Sequence, residues 1–572
     1  MNNIQKTLII VLLALATCTF AQHDEQVTVE GTYRPKVNKV NKLQLKPNAP
    51  KTAFSFPDTE VQPMETNRKF DLDLDKINPL ALSAKNGTDV TPAENFLMAG
   101  MGTRISPLFL YKHNSMLTKF TGLGVGVKHF SSWLNIKDYA PSGFMNNAFD
   151  VSLSTKKFDN LQLDGKVYYK NDVCHYYGVN LTETPLSETE IETCCPRQAY
   201  NTIGAKVDLQ TTSTRLGEFA HGADFDYHYF FDKVYGQSEH STALNYGVSY
   251  SDNWWGSKEN PQKVGVDVAA QYDYLMAFNR LFTKLNPYFE MKGDFYRLRA
   301  GFKMFATFPD FGDKQFLICP DLKGSLFVLN KKLEFYANLG GGQKLLTYSE
   351  IADENPFLAQ WVPLYNQCVN LDFEGGVRTN ILQTVDLHLG VRYRHADEDM
   401  FYGTLSENVY SAGNVIMLNN RFVPIMDETN TVSVLGDVRW LILDNLSADL
   451  NLAYNHCATI KLAQPVYRPT FEGKLRVKYD FNEKLAFNAS VLYQGSRYGM
   501  DECSISVLNL YDNSSVVKLE DVIDIALGTD YKINDQMAVF AKIDNLANCK
   551  YQLFYNYPVT GIQLFAGLKM TF

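Results

Sequence analysis

The chain has 572 residues, a formal net charge of −9 and a mean hydropathy of −0.22. After residue 25 no stretch approaches the ~20 apolar residues that a membrane-spanning helix needs, so a helical membrane protein is excluded. A transmembrane barrel is not, because strands that alternate lipid-facing and lumen-facing residues average to near-neutral hydropathy. Aromatic content is high, with 33 Tyr and 37 Phe, and that surface must be placed somewhere.

Residues 1–21 read as a signal peptide. Lys6 supplies the positive start, residues 8–16 form a short apolar core, and Thr19-Phe20-Ala21 sets cleavage before Gln22. A rival reading takes Leu15-Ala16-Thr17-Cys18 as a lipidation box. Either way the chain leaves the cytoplasm, and an exported, net acidic chain argues against a nucleic-acid partner. Residues 22–92 are rich in Pro, Lys, Asn and Asp with little periodicity. They read as an extended arm, periplasmic or lying in a lumen, or as a vestigial plug.

From residue 93 to 572 the dominant signal is period-two alternation. Val385, Leu387, Leu389, Val391 and Tyr393 share one face, while Asp386, His388, Arg392 and Arg394 take the other. Residues 446–455, 471–480 and 485–493 repeat the pattern. The predicted segments run about 11–16 residues, longer than the five or six usual in soluble sheets and long enough to cross a bilayer at a tilt. Tyr393, Tyr454, Tyr479, Tyr493 and Tyr531 end apolar faces, where an aromatic girdle belongs.

Tight turns near 157–160, 212–216, 294, 329–331, 381–383, 443–445, 481–483 and 533–535 alternate with long connections. The long ones fall near 135–145, 175–197, 344–366, 397–429, 460–466 and 499–517. With the C-terminus in the periplasm, all the tight turns fall on the periplasmic side. A polar face cannot meet lipid, so the sheet must close around a polar lumen. The fold class is therefore all-β, a transmembrane antiparallel β-barrel. About 21 segments are visible, and a single-chain barrel needs an even number, which gives 22 strands, with 20 as the alternative.

Chemistry-bearing motifs are sparse. No GxSxG, GxxxxGK[ST], HExxH or EF-hand pattern occurs, so no enzyme, cofactor or metal site is expected. His129, His175 and His456 are dispersed. Gly340-Gly341-Gly342 reads as a kink where the barrel curves. Cys174 and the Cys194-Cys195 pair bracket one loop and are candidates for a disulfide in an oxidising compartment, unless they stay unpaired. Alternation turns Asp386, Arg392, Arg394, Glu472, Lys474, Arg476, Lys478 and Asp480 inward. They form either an ionic wall that orients an anionic solute or holds the arm, or an ordinary network of paired charges.

At the C-terminus Ile562, Leu564, Leu568, Met570 and Phe572 alternate with Gln563, Lys569 and Thr571. A closing strand ending in Phe resembles the assembly signal of outer-membrane barrels, with Leu568, Met570 and Phe572 as its apolar positions. The string Asp544-Asn545-Leu546-Ala547-Asn548-Cys549-Lys550-Tyr551 resembles the segment preceding the last strand of TonB-dependent receptor barrels. Met98-Ala99-Gly100-Met101-Gly102, Ser106-Pro107-Leu108, His129-Phe130-Ser131-Ser132 and His175-Tyr176-Tyr177-Gly178 are similar to a TonB-dependent receptor-like family with a reduced or absent plug. The resemblance covers residues 94–572. It implies an outer-membrane receptor or transporter barrel, in contact with outer-membrane lipid and, during biogenesis, with the barrel-assembly machinery. It also implies TonB, or a periplasmic or lipoprotein partner. Gln26-Val27-Thr28-Val29-Glu30-Gly31 resembles a TonB box, yet the ~70 residues ahead of the barrel are fewer than a full plug. A structural or assembly subunit of an envelope complex is the competing function.

Overall fold

The computed structural model describes residues 94–572 except 159, 212–215, 256–259, 277, 311–313, 361–364, 383, 412–413 and 502–515. The expected signal peptide with Cys18, the arm 22–92 with its TonB-box-like string, and Cys503 lie outside the described residues.

Alternation of small polar and large apolar residues becomes geometry as soon as strands pair. Among the described residues, twenty-two antiparallel strands form one sheet. Each pairs with its neighbour in sequence, and the first, Asn95–Gly102, pairs with the last, Gln563–Thr571, so the sheet closes. Closure leaves no unpaired edge, which is what a sheet in hydrocarbon requires. At the seam Phe572 and Asn95 exchange backbone hydrogen bonds of 2.8 and 3.0 Å. Leu568, Met570 and Phe572 take the outward face there, since Phe565 and Gln563 on the opposite parity are buried.

The outer surface carries the apolar load. Leu389, Val391, Val432, Val434, Leu452, Tyr454 and Phe487 are all exposed to the surroundings of the barrel. The expected tyrosines sort into two rings. Tyr479 pairs with Leu446 at the tight-turn end of strand Leu446–Thr459, and Tyr454 lies eight residues further along that strand. Eight residues span ~26 Å along a strand and ~20 Å of height at the usual tilt, close to the apolar band of an outer membrane. Tyr393 and Tyr493 sit at the level of Tyr454, and Tyr531, paired with Leu485, at the level of Tyr479.

Connections segregate by length. The long ones, 133–143, 176–196, 346–365, 460–470, 496–521 and 545–562, share one end, and the chain termini of the barrel lie at the other. Turns at the terminus end are short, the nine-residue connection 253–261 being the longest. Gly340–Gly342 is a kink: register slips there, and a side chain on Gly341 would collide with Asn370 O, Val369 O and Cys319 Sγ, each 2.8 Å away.

Two expectations need correction. The span 397–429 is not a loop. Strands Val385–Ser411 and Asn414–Leu443 pair along almost their whole length and rise well past the barrel rim. Alternation disappears there because both faces are covered: Met400, Phe401 and Tyr402 are consecutive and all buried. The bracketing cysteines are not bridged either. Cys174, Cys194 and Cys195 form no disulfide with one another, and burial pushes the Cys195 thiol up to about 12, which suppresses the thiolate that disulfide exchange needs.

Candidate functional site: a lumenal chamber under a folded cap

The long connections are not separate loops. Five of them fold together with the 399–427 hairpin into one aromatic core that includes Tyr176, Phe357, Phe422, Tyr467, Phe554 and Tyr557, while 133–143 packs through Ala140 against Val179 and Cys194. Phe357 stacks on Tyr557 with ring centroids 3.7 Å apart, and Tyr177 meets Tyr557 edge-on at 4.9 Å. A buried phenol must find an acceptor or leave its O–H unmatched at a cost of ~1–3 kcal/mol. Four phenols of this core each donate to a carbonyl of another segment. Tyr176 donates to Leu358 O at 2.8 Å, Tyr200 to Pro356 O at 2.9 Å, Tyr177 to Pro558 O at 3.0 Å and Tyr557 to Asn420 O at 2.7 Å. Burial holds Tyr176, Tyr177 and Tyr557 above the usual phenol range, so they stay neutral donors.

Two short helices frame this core. Glu188–Cys194 is capped by Ser187 and Tyr348–Glu354 by Thr347, each in a reciprocal capping box with the glutamate three positions on, Glu190 and Glu350. The second is also tied to the barrel rim: Glu239 accepts from the backbone N–H groups of Tyr348 and Ser349 at 2.9 and 3.1 Å. Arg421, on the tall hairpin, lies over the Tyr176 ring at 3.5 Å. It donates to Cys194 O at 3.0 Å and to the Tyr235 hydroxyl at 2.9 Å. The hairpin is thereby latched to the connection 176–196.

Beneath the cap lies a chamber of about 2750 Å³. Met400, Phe401, Tyr402, Tyr467 and Phe554, the underside of the aromatic core, form its roof. Its wall is polar. Asp386, Arg392, Arg394, Glu472, Lys474, Arg476 and Lys478 all line it, and Asp480 lies just below, 3.2 Å from Lys478.

Most of the wall charges have partners. Arg392 grips Asp372 through two nitrogens at 2.7 and 2.5 Å. Arg394 reaches Asp399 at 2.8 Å, and Arg468 reaches the same carboxylate at 3.1 Å from the connection 460–470. His388 contacts Asp437 at 2.8 Å, and Asn451 donates to the other oxygen of Asp437 at 2.6 Å.

Sequence reasoning did not single out Asp372, Asp399, Asp437 or Arg468. The inward parity of neighbouring strands could have supplied Asp372 and Asp437. Nothing local marks Arg468, which sits in an aperiodic connection. Among the remaining histidines, His129 contacts Asn147 at 2.7 Å and His175 contacts Gly143 O at 2.6 Å, each a local hydrogen bond. Among the described residues, no group of three or more His, Cys, Asp or Glu side chains is placed to hold a metal ion.

A closed 22-stranded barrel with an apolar belt, inward charges and long connections at one end is the architecture of TonB-dependent receptor barrels, and this chain is a β-barrel of that fold. Three solved structures illustrate the likeness. The siderophore receptor PirA of Acinetobacter baumannii superposes with a TM-score of 0.61 at 10% identity, covering 84% of this chain and 80% of that one. The ferric-catecholate import receptor Fiu of E. coli K12 gives 0.60 at 9% identity, covering 84% and 82%. The ferripyoverdine receptor of the Pseudomonas aeruginosa outer membrane, bound to ferripyoverdine, gives 0.60 at 10% identity, covering 85% and 72%. At these identities the likeness is one of fold. No family model and no curated protein sequence matches the chain.

Proposed function

We propose that the protein is an outer-membrane receptor that takes a polar solute into the chamber beneath its cap and passes it toward the periplasm. The observation that carries this reading is the chamber itself: about 2750 Å³, walled by charges of both signs and roofed by latched outer segments. The import and siderophore receptors that share the fold support it. Energisation through TonB, with residues 22–92 acting as docking arm or vestigial plug, belongs to the same proposal. So does recognition of Leu568, Met570 and Phe572 by the barrel-assembly machinery.

The test is conductance in planar bilayers, with the full chain, the chain lacking residues 23–92, and that deletion combined with Arg421→Ala to loosen the cap. The expected order is closed, closed or weakly conducting, then clearly conducting. A barrel silent in all three forms rejects passage. One observation favours a second reading: the mouth is sealed by a folded core with buried hydrogen bonds, as suits a structural subunit that anchors partners. A stoichiometric protein partner recovered from solubilised outer membranes, with no co-purified small solute, selects that reading.

A further inference from the structure

Strand Phe471–Asp480 turns Lys474, Arg476 and Lys478 into the chamber at two-residue intervals. The carboxylates around them are already engaged. Asp480 lies 3.2 Å from Lys478, Asp449 accepts from Arg439 at 3.1 Å, Asp544 lies 2.9 Å from Lys542 and Asp530 lies 2.5 Å from Lys569. Asp524 accepts from the Tyr551 hydroxyl at 3.2 Å. Arg476 is left over. Its guanidinium meets no acceptor among the described residues; the Nε is shut away from solvent, so the two outer nitrogens are the donors left to a solute in the chamber.

The ground beside this guanidinium is low. On one side Arg476 faces Asp449, which is held by Arg439, and on the other it faces Ser490, which in turn faces Ala526. Ser490, Ala526 and Gly528 all line the chamber, so small side chains floor a depression next to an unmatched cationic fork. A planar guanidinium presents parallel donors that match the two oxygens of a carboxylate or phosphate, and a hydroxyl beside it supplies a further donor. A lumen wall needs charge for solvation alone, but Arg392, Arg394 and Arg468 in this wall are each held by a carboxylate.

We propose that Arg476, with Lys474 and Ser490, is a subsite for the oxyanion group of a small solute, a carboxylate or a phosphate. The inference rests on the receptor reading and names the substrate class for it. Thermal unfolding of the full-length protein in detergent micelles tests it, with citrate, inorganic phosphate, and sodium chloride at matched ionic strength. Citrate or phosphate is expected to raise the Tm saturably, and chloride is not. Arg476→Gln abolishes the response, and Arg476→Lys, which keeps the charge but loses the fork, weakens it about tenfold.

Ser490→Asp covers the case in which Arg476→Gln fails to fold. It brings a carboxylate to Arg476, so the Tm without added anion is expected to rise and the response to citrate to vanish. No saturable response in the wild type, or an undiminished one in Arg476→Gln and Ser490→Asp, overturns the proposal. So does a response seen only after residues 23–92 are removed, which assigns the subsite to carboxylates of the arm. Binding and passage fail separately: citrate bound at Arg476 by a barrel that never conducts retains the subsite and rejects transport, while conduction without anion binding does the reverse.

Discussion

Arg421 shows how single residues hold the cap. It is almost fully buried, it spans three segments distant in sequence, and its bonds go to neutral acceptors and an aromatic face. A hydrogen bond from a charged donor contributes ~1.5–3 kcal/mol, so removing this side chain loosens the hairpin on the connection 176–196, which Asn420 still holds through Tyr176 O and Cys194 O at 3.3 Å, without touching the barrel. Arg421→Ala is expected to speed cleavage within 176–196 by a glutamate-specific protease, at Glu183, Glu188, Glu190 or Glu192, on the order of tenfold or more in intact outer membranes, with barrel resistance unchanged. Cleavage at the wild-type rate would remove the latch from the account. This residue was invisible in the sequence, as were Arg468 and Tyr557. All three act through partners more than forty positions away, and no periodic pattern runs through the segments that carry them. The inward charges at 386–394 and 472–480 were readable because one parity meets lipid and the other meets the lumen, which leaves a two-residue signature in the chain.

Strands were legible wherever one face meets lipid. Leu446–Thr459 and Phe471–Asp480 match their expected spans within a few residues, and the tight turns fall at one end. Legibility failed in 397–429, where the cap covers both faces of the tall hairpin and the two-residue rhythm has no cause. The seam between first and last strands adds a constraint that sequence alone hides. Gly100 faces Gly567, and the Phe540 ring lies over both. A Cβ on Gly567 would stand 2.2 Å from Ala99 O and 2.6 Å from Phe540. Gly567→Val is therefore expected to destabilise the barrel by about 1–3 kcal/mol in urea unfolding from lipid vesicles, as overpacking usually does. Gly222→Val, at a strand position where an added Cβ meets nothing within 4 Å, is the control and should cost little. Equal effects at the two sites would mean that the seam is not closely packed.

At the scale of the whole molecule, closure, parity and orientation follow from one requirement, that no backbone polar group be stranded in hydrocarbon. An even strand number puts both ends of the barrel on the same side, and the long connections then gather at the other, where they fold into a cap over the lumen. That cap was not foreseen, since its core is assembled from five aperiodic connections and a hairpin. The most direct measurement is a nitroxide scan of residues 447–454, one label at a time in lipid vesicles, comparing oxygen with a water-soluble nickel relaxant. The barrel predicts strict alternation: Ala448, Leu450, Leu452 and Tyr454 reached by oxygen from the bilayer, and Ser447, Asp449 and Asn451 reached by nickel from the lumen. Uniform nickel access along the whole stretch, or a rhythm of 3.6 residues, would contradict it.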